Sequence, residues 1–255
     1  MSLLQLSDVT KNFGGLSAVA GLSFHLDEGA IMGLIGPNGA GKTTVFNLIT
    51  GIYRPDKGQI LFNGQSLLRL STHRRVLLGI ARTFQTIRLF QNLSVIENVL
   101  AGCHCRLKAG VVGSFLRLPG QRREELEALQ KALEALALVG LGHRAELPAK
   151  NLSYGNQRLL EIARALATGP RLLILDEPAG GMNEQETTQL VSLIKTIRDM
   201  GVTVLLVEHD MTLVMRVCER IVVMEYGRKI AEGTPDEIKR DHRVIEAYLG
   251  TEEES

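Results

Sequence analysis

Hydrophobic positions along the chain fall into two patterns. The apolar runs Ile31–Ile35, Leu172–Leu175 and Val202–Val207 show no polar alternation and are rich in Leu, Ile and Val, as expected of parallel strands covered on both faces. Between the second and third lies Glu184–Met200, whose apolar residues recur with a helical period. Nearer the N-terminus, Leu3–Leu6, Ser23–Leu26 and Gln59–Phe62 predict short strands. The last is closed by Asn63-Gly64, a hairpin-turn dipeptide. Residues 72–165 predict mostly helix, most clearly from Gln121 to Val139, which Gly140 and Gly142 end. There Leu126, Leu129, Leu133 and Leu136 form one stripe among charged residues, read as the core of a helical lobe. Ile221–Met224 and Lys229–Ala231 then flank a Tyr226-Gly227 turn, and a short helix follows. The pattern predicts an α/β core, an antiparallel piece built from the N-terminus and an inserted helical lobe at about 88–168. These form one domain over 1–250, with an acidic tail at 251–255.

Composition narrows the partners. The 255 residues carry 29 Lys+Arg against 28 Asp+Glu, a net charge of +1, which argues against a nucleic-acid-binding surface. Three Cys rule out a disulfide framework and suit a reducing compartment. No apolar run approaches the ~20 residues that span a bilayer, and Asp8 and Lys11 fall where a signal peptide would be apolar. The expectation is a soluble intracellular chain that meets a membrane only through partners.

Two motifs carry chemistry. Gly36-Pro-Asn38-Gly39-Ala-Gly41-Lys42-Thr43-Thr44 follows an apolar run and opens a helical segment, Val45 to Ile49, stopped by Gly51. It satisfies G-x-x-x-x-G-K-[ST] in the required strand–loop–helix setting. The glycines let backbone N–H groups turn inward around phosphate, and the helix N-terminus adds positive potential. Lys42 reaches the β- and γ-phosphates, and the Thr43 hydroxyl suits Mg²⁺. A merely Gly-rich turn would not need Lys-Thr in register. Downstream, Leu172–Leu175 runs into Asp176-Glu177. Strand alternation is expected to send these acids in different directions, Asp176 toward Mg²⁺ and Glu177 toward the water that attacks the γ-phosphate.

Leu152-Ser153-Tyr154-Gly155-Asn156-Gln157, followed by the helical Arg158–Ala167, resembles the signature L-S-G-G-Q of ABC proteins. The chain resembles ABC-transporter ATP-binding subunits from about Leu3 to Leu249. That resemblance implies a P-loop NTPase core of ABC type with an antiparallel β subdomain and an inserted α-helical subdomain, using ATP and Mg²⁺. It implies that Gln85, in Arg82-Thr-Phe-Gln, senses γ-phosphate and metal. It makes His209, in Val207-Glu-His-Asp210, the switch histidine, and stacks Phe13 on adenine. Ser153, Gly155 and Gln157 would meet a nucleotide held by a second ATPase subunit, in a homo- or heterodimer. Phe13–Val19, Ala81–Val99, Leu159–Leu166 and Glu232–Leu249 are worded most like the ATPases of branched-chain amino-acid importers. Lipopolysaccharide-export and urea-importer ATPases are close relatives. Such subunits work at the cytoplasmic face of the inner membrane. Permeases dock a cytoplasmic helix, here near Ile87–Asn92, and a periplasmic or extracellular binding protein acts indirectly. Three residues depart from the ABC pattern: Tyr154 and Asn156 in the signature, and Asn183 where the D-loop usually carries Asp.

Other features have plainer readings. Cys103-His104-Cys105 cannot wrap a tetrahedral metal site from three consecutive positions. Arg106–Gly120 reads as an insertion loop or short helix, and Glu252–Glu254 as a solvated tail. Soluble ABC ATPases acting on DNA or ribosomes usually carry two cassettes or a long coiled-coil insertion, neither of which is present. A non-catalytic nucleotide sensor is disfavoured because Glu177 and His209 are both present.

Overall fold

The computed structural model describes residues 2–103 and 119–249. Six strands form the central sheet, in the order β10-β9-β3-β8-β7-β6. These are β3 (Ile31–Ile35), β6 (Ile80–Arg82), β7 (Leu172–Asp176), β8 (Thr203–Val207), β9 (Arg220–Glu225) and β10 (Arg228–Gly233). All pairs are parallel except β9–β10. Every residue of β3, β7 and β8 is buried, and two cores explain why. Leu173, Leu175, Val204 and Leu206 enter a core shared with the helices on one face. Leu172, Ile174, Leu205 and Val207 enter a second core on the other. Strand β6 lies in the region read as mostly helical. Three residues are too few to show a period, and its partner β7 is remote in sequence.

The second core is closed by a four-stranded sheet of order β2-β1-β4-β5, comprising β1 (Ser2–Phe13), β2 (Leu16–Asp27), β4 (Lys57–Phe62) and β5 (Gln65–Ser66). Strands β1 and β2 make one long hairpin where the sequence predicted short strands. Register shifts between Leu6 and Val9 and again beyond Val9 break the alternation, with Asp8 at φ 49°. The Asn63-Gly64 turn joins β4 to β5 as expected.

Helix α1 (Lys42–Thr50) continues out of the phosphate-loop motif, and α2 (Thr72–Leu77) meets the far end of α1. The lobe contains α3 (Val95–Cys103), α4 (Pro119–Leu138) and α5 (Tyr154–Leu166); α6 (Glu184–Asp199), α7 (Met211–Val217), α8 (Pro235–Arg240) and α9 (His242–Leu249) complete the chain. The tail thus holds two short helices rather than one. The leucine stripe of α4 is a correction. Leu136 is buried, but Leu126, Leu129 and Leu133 are 61%, 38% and 45% exposed. Ala128, Ala132, Ala135 and Val139 join Leu136 in the core instead. Small residues let the helices approach closely, and the Cys103 thiol of α3 reaches the Ala128 carbonyl at 3.7 Å. His104, Cys105, the tail 251–255 and all of Arg106–Gly120 but its last two residues, which begin α4, lie outside the described residues.

Candidate nucleotide site

The loop between β3 and α1 is shaped by its glycines. Gly36, Gly39 and Gly41 have φ of 149°, 79° and 101°, values that side chains rarely adopt. A Cβ at Gly36 would strike the Met224 carbonyl of β9, and one at Gly41 the Ala18 carbonyl of β2. The loop is therefore wedged between the two sheets. Helix α1 has no acid in its first turn and no side-chain cap, so its N-terminal N–H groups and dipole are left for an anion. At the other end, Arg75 of α2 is buried and donates to the carbonyls of Leu48 (2.6 Å), Ile49 (2.8 Å) and Leu67 (2.7 Å). The motifs gave no sign of Arg75.

Lys42 is buried, and its ammonium donates to the carbonyls of Gly36 (2.5 Å) and Pro37 (2.9 Å). Burial lowers its pKa, while Glu177 and Asp176 oppose that shift. Beside it opens a cavity of about 540 Å³ lined by Phe13, Asn38, Gly39, Gly41, Lys42, Thr43, Thr44, Gln85 and Glu177, and also by Leu16 and Tyr226. This volume is in the range of small-molecule sites. Gly36 meets the site through its carbonyl, which accepts from Lys42. Phe13 ends β1 and packs edge-on against Tyr53, with ring centroids 5.1 Å apart.

The two acids diverge for a reason other than strand alternation. Strand β7 stops at Asp176, and Glu177 takes a left-handed backbone at φ 47°. Bulky residues reach that region at some strain, and such strain gathers at functional sites. Glu177 Oε2 accepts from Gln85 Nε2 at 2.8 Å, and its Oε1 lies 3.9 Å from His209 Nδ1. Asp176 is buried and pairs with Arg82 (2.9 Å), which also donates to Asn47 of α1 at 2.7 Å. Burial raises the Asp176 pKa; Arg82 counters this, and the neighbouring Glu177 charge adds to it. The Asp176 carboxylate, the Thr43 hydroxyl and the Gln85 amide are oxygen donors of the kind Mg²⁺ takes, and Asp176 keeps lone pairs for a metal beside its pair with Arg82. These residues fit the metal.

Glu208, beside His209, is another acid that the motifs do not mark. It is 1% exposed, and burial raises its pKa. Its Oε1 accepts from Ala179 N–H at 2.8 Å and its Oε2 from His209 N–H at 3.2 Å. It thereby joins the loop after β7 to the loop after β8. It directly follows the buried strand β8, and no local motif singled it out.

The signature residues do not line the Lys42 cavity of this chain. Ser153 caps α5 by accepting from Asn156 N–H (3.4 Å). Gly155 is buried, and a Cβ there would meet Glu186 Oε1 at 2.6 Å. Gln157 donates to the Leu152 carbonyl at 3.0 Å. Asn183 caps α6 in a reciprocal capping box with Glu186. Further along α5, Arg158 donates to the carbonyls of Phe84 (2.7 Å) and Gln85 and to the Tyr154 hydroxyl. Glu161 accepts from Arg88 N–H at 2.9 Å, and Arg164 donates to the Arg88 carbonyl at 2.5 Å. Helix α5 thus grips the main chain of the Gln85 loop. Partners more than 70 residues apart in sequence could not be matched from motifs.

Comparison with known proteins places this geometry. Residues 19–180 match the ABC transporter family, and residues 228–254 match the branched-chain amino acid ATP-binding cassette transporter family. The chain is 47% identical over 249 residues to the high-affinity branched-chain amino acid transport ATP-binding protein LivG of Salmonella typhimurium, covering 97% of this chain and 98% of that protein. It is 34% identical over 250 residues to the lipopolysaccharide export system ATP-binding protein LptB of Haemophilus influenzae, covering 98% of each. A solved structure of the ADP conformation of MJ1267, an ATP-binding cassette of an ABC transporter, superposes with a TM-score of 0.86 at 30% identity, covering 98% of this chain and 99% of that one. A family model over most of the chain, a near full-length relative and a solved cassette of the same fold agree, and this chain belongs to the ABC transporter family as an ATP-binding cassette.

Proposed function

We propose that this chain is the ATP-hydrolysing subunit of an importer for branched-chain amino acids, working as a dimer beneath permease subunits at the cytoplasmic face of the membrane. The carrying observation is that Glu177 shares one cavity with Lys42, Thr43 and Gln85, held by Gln85 and close to His209. The loop N–H groups and Lys42 bind and orient the triphosphate. Thr43, Asp176 and Gln85 would hold Mg²⁺, which neutralises charge on the β- and γ-phosphate oxygens. Glu177 takes the proton of the attacking water as a general base, and His209 steadies its far oxygen. Phe13 offers a ring to the base. The cargo reading rests on likeness to LivG and on the family matched at 228–254. Lipopolysaccharide export is the alternative, and the lower identity to LptB disfavours it.

No helix among the described residues is long and apolar enough to cross a membrane, so coupling needs a docking surface. A second cavity of about 410 Å³, lined by Ile52, Val76, Phe84, Phe90, Ala101 and Glu161 among others, suits a permease helix. Phe90 is 55% exposed there, while Asn98 bonds both its N–H (2.8 Å) and its carbonyl (3.0 Å).

In the dimer, ATP lies between Lys42 of one chain and Ser153 and Gly155 of the other. The N-terminus of the partner's α5 faces the γ-phosphate. This is tested by mixing. Lys42→Ala loses a charge-assisted phosphate contact, and Ser153→Arg adds bulk where two chains must close, so each is expected to be inactive alone. Mixed chains form heterodimers with one site free of both lesions, and turnover is expected to return. If turnover stays absent and no nucleotide-dependent crosslink joins Ser153 of one chain to the Lys42 loop of another, the dimer reading fails. Uptake of leucine into vesicles holding the co-purified permease tests the cargo.

A further inference from the structure

Tyr226 is unlike the other exposed apolar side chains. It sits at the tip of the β9–β10 hairpin and, at 83% exposed, is the most exposed large apolar side chain among the described residues. Its backbone is left-handed at φ 46°, and Gly227 follows at 78°. Two successive left-handed residues make a type I′ turn, whose first position favours Asn, Asp or Gly. A bulky side chain there is an outlier. Neither burial nor backbone preference accounts for the tyrosine.

The turn that carries it is fixed to the nucleotide site. Gly227 N–H donates to the Ala40 carbonyl of the phosphate loop at 3.1 Å, and Ala20 N–H of β2 donates to the Gly227 carbonyl at 2.8 Å. A Cβ at Gly227 would press on the Ala18 carbonyl at 2.9 Å. Tyr226 thereby lines the same cavity as Phe13, Leu16 and the phosphate loop. Phe13 arrives from the end of β1, backed by Tyr53 at 5.1 Å and with the Lys11 ammonium 5.3 Å from its ring centroid. Two aromatics from different sheets therefore line the cavity that the phosphate loop also lines.

We propose that Tyr226 is a second aromatic wall of the nucleobase site, contributing to the binding of purine nucleoside triphosphates alongside Phe13. The inference rests on the nucleotide-site reading above. An aromatic face stacks on any base, and stacking strength sets the preference among bases. The larger purine gains more than a pyrimidine. The tyrosine therefore acts on the nucleoside and not on the phosphates, which the loop and Lys42 hold.

Calorimetric titration of the full chain with ATP, CTP and inorganic triphosphate, each with Mg²⁺, separates these parts. Tyr226→Asn supplies the residue the turn prefers, so Tm is expected to hold or rise. ATP binding is expected to weaken by about fivefold or more, CTP binding by less, and triphosphate binding to stay at the parent value. Tyr226→Phe keeps the ring and is expected to restore ATP affinity. Tyr226→Asn binding ATP as tightly as the parent, or losing triphosphate in equal measure, would overturn the inference. Lys42→Ala serves as control and should lose both ATP and triphosphate. A parent chain that bound neither would instead overturn the nucleotide-site reading, and the inference with it.

Discussion

Glu177 stands where the chain leaves β7, in a left-handed conformation uncommon for a side chain of its size. Its two oxygens face different partners, Gln85 and His209, so the carboxylate is oriented before water arrives. Glu177→Gln keeps the shape and removes the base. Hydrolysis is expected to fall by about 10²–10⁴ while ATP affinity stays near that of the parent, read by phosphate release and equilibrium binding on one preparation. Turnover near the parent rate would pass the base role to His209. The identities of Lys42, Asp176 and Glu177 were legible because each lies in a local motif. The left-handed turn that separates the two acids was not, since nothing in Leu-Asp-Glu-Pro announces a positive φ. Glu208 was equally silent, because its role comes from N–H groups on two loops that only the fold brings together.

Elements were legible where one pattern governed a whole segment. Strands β3, β7 and β8 read correctly because both of their faces meet apolar cores. Hairpin β1–β2 read as fragments because its register shifts move the buried face. Helix α4 misled because leucine outweighs alanine in any hydrophobic count, whereas packing prefers alanine where helices nearly touch. Leu136→Ala is expected to cost about 2–5 kcal/mol, and Leu129→Gln to stay within about 0.5 kcal/mol, by urea unfolding. Equal losses would restore the leucine stripe to the core. At the far end of β1, Asp56 accepts from Asn12 N–H (2.6 Å) and Lys11 (2.9 Å), holding the strand that carries Phe13. The Asn12 bond first, and Lys11 second, keep the Asp56 pKa below its ordinary 3.8. The unfolded chain then takes up this proton more readily than the folded one as acid is added. The stabilisation is therefore present above the ordinary value and lost as pH falls through the folded one. The Tm gap between the parent and Asp56→Ala is expected to narrow as pH drops from about 6 to about 3; a gap independent of pH would remove Asp56 from that role.

For the whole molecule, the sequence carried the presence of three parts, but not the connections among them. Arg82 joins Asp176 to α1, and α5 holds the Gln85 loop through Arg158, Glu161 and Arg164. These links run between segments that no local pattern relates. At the outer end of that loop, Phe90→Ala is expected to weaken permease binding by at least about tenfold, as loss of an interface anchor does. ATP affinity of the isolated subunit should stay unchanged, and both quantities should be measured in one preparation. An equal loss of ATP binding would make Phe90 a packing residue.

Arg158, Arg164 and Asn98 all hold main-chain atoms of residues 84–90, and that choice has an evolutionary reach. A grip on peptide groups is blind to the side chains those peptides carry. In the importer proposed above, the outward-facing positions between Thr86 and Phe90 are thus free to be rewritten for a new membrane partner while the linkage behind them stays intact. One engine can in this way be refitted to many gates, with the adaptation confined to a few exposed side chains.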